Sequence, residues 1–330
     1  MSPFPYRRMR RLRSTTRMRQ WVAETHLTRH SLVKPLFVCE GEGVERPITS
    51  LPGQFQLSVD QVSDVARKIQ DSGVPAVLLF GIPDSKDPSG TFSTDPEGVV
   101  PRAVRAIRES AEDLIVIGDV CLCEFTDHGH CGIVSASPGG QPLIDNDATL
   151  EVLATQSRVL ADAGCQVVAP SAMMDGQVRA IRGTLDGAAH GQVVILSYAA
   201  KFASSFYGPF REAVKSAPSL GDRKTYQMDC RNIREAIEEV SLDIEEGADI
   251  VMVKPGLPYL DVITKIRQNF NVPVAAYHVS GEWSMLRAAA ERGWIDGDSV
   301  YLESLRCLHR SGADIIITYG AEEAIRLLER

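Results

Sequence analysis

The stretch EEGADIVMVKPG, residues 245–256, decides how the rest of the chain is read. A polar helical run ends at Gly247, a small residue follows, and a short apolar run then leads to Lys254. Glycine suits the left-handed position just past a helix C-terminus, where a side chain is unfavourable. An apolar, β-branched run without polar alternation suits a strand covered on both faces, as in a parallel sheet. The same order recurs in DSGVPAVLLFG (71–81), ADAGCQVVAPS (161–171) and RSGADIIITYG (310–320), with Gly73, Gly164 and Gly312 at the turn.

Four further apolar runs complete the series: LVKPLFV (32–38), LIVIGDV (114–120), QVVILSYA (192–199) and VPVAAYHVS (272–280). Helical patterns such as VSDVARKIQ (62–70), AVRAIRES (103–110) and IREAIEEVSLDIEE (233–246) separate most of them. Eight strands alternating with helices predict an α/β fold of the (β/α)8 TIM-barrel type. A doubly wound Rossmann sheet is the alternative, but no G-x-G-x-x-G follows the first strand. The expected organisation is an N-terminal arm over 1–31 and one catalytic barrel over 32–330, with no linker between further domains.

Composition narrows the class. Of the 330 residues, 44% are hydrophobic and 24% charged, the balance of a globular protein. No apolar run approaches the roughly 18–20 residues that span a bilayer, so no membrane role is expected. A net charge of −8 argues against nucleic acid as a partner. Seven cysteines in a chain of this length make a poor disulfide framework, which favours reduced thiols and a cytoplasmic setting. The first twenty residues depart from this, with seven arginines and no acid before Glu24. Organelle transit peptides share that bias. Pro3 and Pro5 break any transit helix, which favours a basic arm docking on an acidic surface such as a neighbouring subunit.

A barrel places its active site at the carboxyl ends of the strands. Read in order, those ends carry Asp119 and Cys121, then Ser171, Lys201, Lys254, Ser280 and Tyr319. Cys121, Cys123 and Cys131 form C-x-C-x7-C in a glycine-containing loop, DVCLCEFTDHGHCG (119–132). Three thiolates suit a zinc that keeps a fourth position for water or substrate. Free thiols or a redox pair are the alternatives, and His128 and His130 are either further ligands or ordinary hydrogen-bonding residues.

A lysine facing an apolar barrel loses hydration in its charged form, so its pKa falls and the neutral amine can attack a ketone. Snorkelling to solvent is the bland alternative. Two lysines at adjacent strand ends, Lys201 and Lys254, disfavour each other's protonation and support the reactive reading. The aromatic, glycine-punctuated segment KFASSFYGPFREAVKSAPSLGDRKTYQ (201–227) reads as a lid. Its Arg211 and Arg223 suit capture of carboxylates, though either alone could simply be a solvated surface charge.

Taken together, RRMRRLR, LVKPLFV, LFGIPDSKD, DVCLCEFTDHGHCG, PSAMMDGQVRAIR, ILSYAAKFASSFYGPFREA, TYQMD, GADIVMVKPGLPYLDVI, YHVSGEW and GADIIITY closely resemble the porphobilinogen synthase (5-aminolevulinate dehydratase) family over essentially the whole chain. The resemblance implies a lyase that condenses two molecules of 5-aminolevulinate into porphobilinogen, losing two waters, in tetrapyrrole synthesis. It implies that Lys254 forms a Schiff base with the propionate-side substrate and Lys201 with the acetate-side one. It likewise assigns Ser280 and Tyr319 to the propionate-side carboxylate, Arg211 and Arg223 to the acetate-side one, and Tyr207, Gln227 and Tyr277 to substrate binding. Asp119 and Ser171 are placed among the catalytic groups. Cys121, Cys123 and Cys131 match the ligands of a catalytic zinc, and Glu239 matches a carboxylate that helps hold an allosteric magnesium. Assembly as an octamer through the N-terminal arm is also implied. Ala172, Thr225 and Trp283 depart from common versions of the motifs, and Thr225 puts a second zinc in doubt. A Schiff-base aldolase would need one lysine and no thiolate metal, and a metal-binding sensor would leave the paired lysines unexplained.

Overall fold

A computed structural model describes residues 7–136 and 142–330; Pro3 and Pro5 lie outside the described residues. Eight strands follow the expected runs: β1 (Leu32–Cys39), β2 (Ala76–Ile82), β3 (Ile115–Val120), β4 (Val167–Pro170), β5 (Val194–Lys201), β6 (Ile250–Lys254), β7 (Val274–His278) and β8 (Ile315–Thr318). Neighbours pair in parallel and in chain order, and β8 returns to β1 through Leu32↔Ile316 and Val33↔Ile317. That last pairing closes the barrel and removes both sheet edges.

The helices that follow the strands lie outside the barrel and turn apolar stripes towards it. Val62, Ala66 and Ile69 of helix Val59–Asp71 and Val99, Val104 and Ile107 of helix Val99–Ser110 are buried. The four glycines behave as the repeat predicts, with φ of 86° at Gly73, 107° at Gly164, 110° at Gly247 and 119° at Gly312. At Gly312 a Cβ would also lie 2.7 Å from Arg267 Cβ, so space and backbone both exclude a side chain.

Inside the barrel an aromatic layer crosses from strand to strand. Phe37 stacks on Phe80 at 5.7 Å and on Tyr319 at 6.2 Å; Tyr277 lies 6.1 Å from Tyr319 and 6.5 Å from Tyr198. This aromatic layer packs the barrel interior next to the strand ends.

Strand β5 carries an irregularity with functional weight. Val251 pairs with Ser197, but Val253 pairs with Ala200, so β5 holds one residue more than β6 over that interval. Such a bulge re-aims the side chains beyond it. Ser197 points outward and donates to Asp243 Oδ2 at 2.5 Å, whereas Tyr198 and Lys201 both face the barrel mouth.

Several features lie outside the sequence expectations. Short strands Glu45–Pro47 and Phe55–Ser58 extend the sheet beside β1, and Ile133–Ala136 pairs antiparallel with Pro142–Asp145 beyond the cysteine loop. These pieces are three or four residues long and largely lack the apolar runs by which strands are read. Ahead of the barrel, a 3-10 turn (Met9–Arg13) and a helix (Thr16–Trp21) contain no buried residue. Trp21 is 81% exposed, an unusual state for an indole in a finished surface. No helix among the described residues is long and apolar enough to cross a membrane.

Candidate active site

The two lysines meet at the barrel mouth because their strands are neighbours in register: Lys254 pairs with Lys201. Both are buried. The Lys254 amine sits among four rings, 4.3 Å from the centroid of Tyr277, 4.9 Å from Tyr198, 5.0 Å from Phe210 and 5.5 Å from Tyr207. Aromatic faces attract a cation, but here loss of water dominates. Burial, reinforced by the charge of Lys201, lowers the Lys254 pKa to about 7. Lys201 is tethered differently, its Nζ donating to the carbonyl of Ser171.

Next to the lysines, Ser171 Oγ donates to Asp119 Oδ2 at 3.0 Å, while Asp119 Oδ1 has no hydrogen-bond partner among the described residues. Burial raises the Asp119 pKa to about 6, against the pull of Lys201 and Lys254. Thus an amine and a carboxyl stand side by side, each able to change protonation near neutral pH.

Cys121, Cys123 and Cys131 are all buried, and their sulfurs lie within 4.8 Å of one another, Cys121 and Cys123 at 3.4 Å. Three thiolates at about 2.3 Å from one tetrahedral zinc would sit about 3.8 Å apart, so the trio fits such an ion. Burial pushes the Cys121 thiol well up, whereas hydrogen bonds from Cys121 and Cys123 hold Cys131 well below its usual range. A cation would relieve that shared negative charge.

The histidines are not part of this cluster. His128 Nδ1 accepts from the His130 amide at 3.1 Å and its Nε2 donates to Pro88 O at 3.1 Å. His130 Nε2 donates to Leu220 O at 2.6 Å, and its Nδ1 accepts from Tyr226 Oη at 3.0 Å. All four ring nitrogens are committed, and they stitch the cysteine loop to its neighbours.

The segment read as a lid folds over the mouth through a 3-10 turn (Ser205–Tyr207), a short helix (Gly208–Ala213) and a loop. The carbonyls ending this helix are held by Gln56 Nε2 on Ala213 at 2.6 Å and by Lys86 Nζ on Val214 at 2.9 Å and Lys215 at 2.8 Å. Arg223 is buried and clamps the lid to the cysteine loop, donating from Nη2 to Gly129 O and Ser216 O, both at 2.7 Å. Its Nε, and that of half-buried Arg211, have no hydrogen-bond partner among the described residues. A small cavity lined by Cys123, Ser171, Lys201, Tyr207, Arg223 and Lys254 thus brings both lysines together with one cysteine of the cluster.

Ser280 Oγ accepts from the amide of Phe210 at 3.1 Å and donates to Phe206 O at 3.3 Å, so it lies directly under the lid. Tyr277 and Tyr319 hydroxyls are 3.3 Å apart, and the Tyr319 carbonyl is pinned by Lys34 Nζ at 2.6 Å and Gln54 Nε2 at 3.2 Å. Tyr207 Oη turns away from the cavity to the carbonyls of Phe202 (2.8 Å) and Lys254 (3.1 Å). Gln227 is buried with both amide atoms unpartnered among the described residues, and it borders a polar depression that also contains Asp175, Glu235 and Glu239. Burial, then Asp175 and Glu235, raise the Glu239 pKa. Glu239 therefore stands apart from the lysines.

Three participants escape sequence reading. Tyr198 and Phe210 wall the amine, and neither residue type advertises that role. Glu124 is 1% exposed with Oε1 unpartnered among the described residues, and burial together with Cys123 and Asp119 pushes its pKa well up. Only its place directly after Cys123 could have drawn attention to it.

The electrostatics make a direct prediction. Initial labelling of Lys254 by levulinate, a keto acid, under borohydride reduction should rise with pH and reach half its limit near pH 7. An ordinary lysine would titrate near about 10.4, and a midpoint there would show that burial does not control the amine.

Comparison with known proteins agrees with this geometry. Residues 6–327 match the family described as "Delta-aminolevulinic acid dehydratase". Relatives of that name include one from Synechococcus elongatus, 50% identical over 98% of this chain and 99% of the relative, and one from Streptomyces coelicolor, 51% identical over 98% of each. The crystal structure of the Toxoplasma gondii enzyme in complex with its reaction product porphobilinogen is 44% identical, covers 99% of this chain and 92% of that one, and has a TM-score of 0.95. A Coxiella burnetii dihydropteroate synthase, at 12% identity and a TM-score of 0.51 over 92% of each chain, shares only the barrel fold. The chain belongs to the delta-aminolevulinic acid dehydratase family.

Proposed function

We propose that this chain condenses two molecules of 5-aminolevulinate into porphobilinogen with loss of two waters, through Schiff bases on Lys254 and Lys201. The observation that carries this reading is the pair of buried, register-matched lysines, one with its pKa lowered to about 7. The neutral Lys254 amine adds to a substrate ketone, and water leaves as the iminium forms. Lys201 holds the second substrate in the same manner, and each iminium acidifies the carbon beside it. Asp119, hydrogen-bonded to Ser171, is placed to take and return protons. Ser280 and Tyr319, with Tyr277 beside them, would receive the propionate-side carboxylate. On the acetate side, Arg211 and Arg223 have Nε donors without partners among the described residues, and the Tyr207 ring, which lines the cavity, together with Gln227 would complete the substrate contacts. Two distinct carboxylate sites allow one molecule type to bind in two orientations.

Cys121, Cys123 and Cys131 would hold zinc, which supplies Lewis acidity beside the acetate-side substrate when bound. Glu239 would help hold magnesium in the acidic depression; the mutual repulsion of its carboxylates supports that assignment. The exposed arm, with Trp21 and seven arginines before Glu24, would join subunits into a homo-oligomer of octamer type. A cytoplasmic setting fits the unpaired cysteines and the net charge.

Incubation with 5-aminolevulinate should yield a pyrrole, and borohydride should attach substrate mass at Lys254. Lys254→Ala should lose the adduct and lower turnover by roughly 10³-fold or more. Lys201→Ala should keep the adduct and still form no pyrrole; an adduct on any other lysine would overturn these roles.

A strong zinc chelator should abolish pyrrole formation, with zinc and not magnesium alone restoring it. Cys123→Ala should bind no zinc at this loop by direct metal analysis, whereas Glu239→Ala should lose only magnesium stimulation. Retained activity in metal-free Cys123→Ala protein would refute the zinc assignment.

Removing residues 1–25 should leave a folded barrel that sediments as a smaller assembly. Unchanged sedimentation would remove the arm from subunit contact.

A further inference from the structure

Glu282 lies outside every role described so far, yet it is 3% exposed and its carboxylate is fully engaged. It is the third residue of helix Ser280–Glu291. Oε2 reaches back to accept from the amide of Val279, the N-cap, at 2.5 Å, a common way to satisfy a free helix-end donor. Oε1 does something that capping does not require. It accepts from the amide of Leu257 at 2.7 Å, three residues after Lys254 and on a different barrel turn.

The joint it makes is crowded. A Cβ on Gly256 would lie 2.9 Å from Tyr277 O, and one on Gly281 would lie 2.5 Å from Phe206 O. Three backbones therefore converge here: the turn after Lys254, the end of β7 leading to Ser280, and the lid turn at Phe206. Ser280 Oγ already bridges the last two. Among the described residues, Glu282 bonds the turn after Lys254 to the helix that begins at Ser280, one oxygen to each amide; burial raises its pKa to about 8, and the two amide bonds favour the ionised carboxylate against that rise.

We infer that Glu282 is a positioning residue: its carboxylate bridges the amides of Leu257 and Val279 and so fixes the Lys254 amine relative to the Ser280 hydroxyl. The role rests on the Schiff-base reading above, in which Lys254 takes the ketone and Ser280 the carboxylate of one substrate molecule. A ketone and a carboxylate in one small molecule have a set separation, so the spacing of their two receivers decides whether both engage together. A misplacement of about 1 Å in such a pair costs on the order of 10²-fold in rate. Glutamine has nearly the same shape but offers one acceptor; its amide group would face one of the two N–H donors.

The test is Glu282→Gln in the full-length protein. Hydrogen exchange should show the amides of Leu257 and Val279 protected in the wild type, with at least one exchanging tenfold or more faster in the variant. The folded variant should form the Lys254 borohydride adduct ten- to a hundredfold more slowly and show a raised KM for 5-aminolevulinate, while exchange in strands β1 to β4 is unchanged. Wild-type adduct rate and KM in the variant, or a loss that merely follows a lowered melting temperature, would overturn the inference. So would rapid exchange of both amides in the wild type, a result that needs no variant to fold. Absence of any Lys254 adduct in the wild type would instead refute the Schiff-base reading, and the exchange measurement would still judge the bridge.

Discussion

The site depends on keeping one amine dry. The Lys254 pKa falls to about 7 because four aromatic rings and the folded lid limit its hydration, with the charge of Lys201 adding to the penalty. The lid contributes Phe210 and Tyr207 to that enclosure, and the barrel contributes Tyr198 and Tyr277. Neither part alone would suffice, since an open face would let the ammonium recover its hydration. Most other contacts at the mouth can be understood as holding this enclosure shut.

Closure of the lid and placement of the cysteine loop share the same residues. Arg223 and both histidines of the cysteine loop spend their hydrogen bonds on backbone carbonyls and neighbouring groups, joining lid, cysteine loop and the loop after β2. Cys123 is thereby set into a wall of the cavity that contains the lysines, with the sulfurs of Cys121 and Cys131 within 4.8 Å of its own. A buried cluster of thiols with mixed protonation is unfavourable by itself. Its retention beside two amines makes sense where a cation completes the charge balance.

Much of this was legible in the chain. The repeated helix–glycine–strand unit at Gly73, Gly164, Gly247 and Gly312 announces a parallel barrel because left-handed caps and two-sided burial are local requirements, written at fixed positions. The barrel rule then assembles Asp119, Ser171, Lys201 and Lys254 at one mouth, where the structure brings them together. Residues with long-range partners carry no such mark. Lys34 reaches the Tyr319 carbonyl across the closing seam, Lys86 the end of the lid helix, and Glu282 the turn after Lys254. Each has an ordinary sequence context and becomes meaningful only through a distant backbone atom.

Strand β5 shows the division most sharply. Its apolar run and the lysine at its end are local facts, and the sequence alone determined that a strand would deliver Lys201 to the mouth. A regular strand alternates faces, and Ser197, which bonds outward to Asp243, would then place Lys201 outward as well. Both Tyr198 and Lys201 face the mouth because one extra residue enters β5 between its pairings with Val251 and Val253. Bulges arise from how neighbouring strands register when a barrel closes. The reactive residue types were therefore fixed by the chain, while the face they present was decided by tertiary packing.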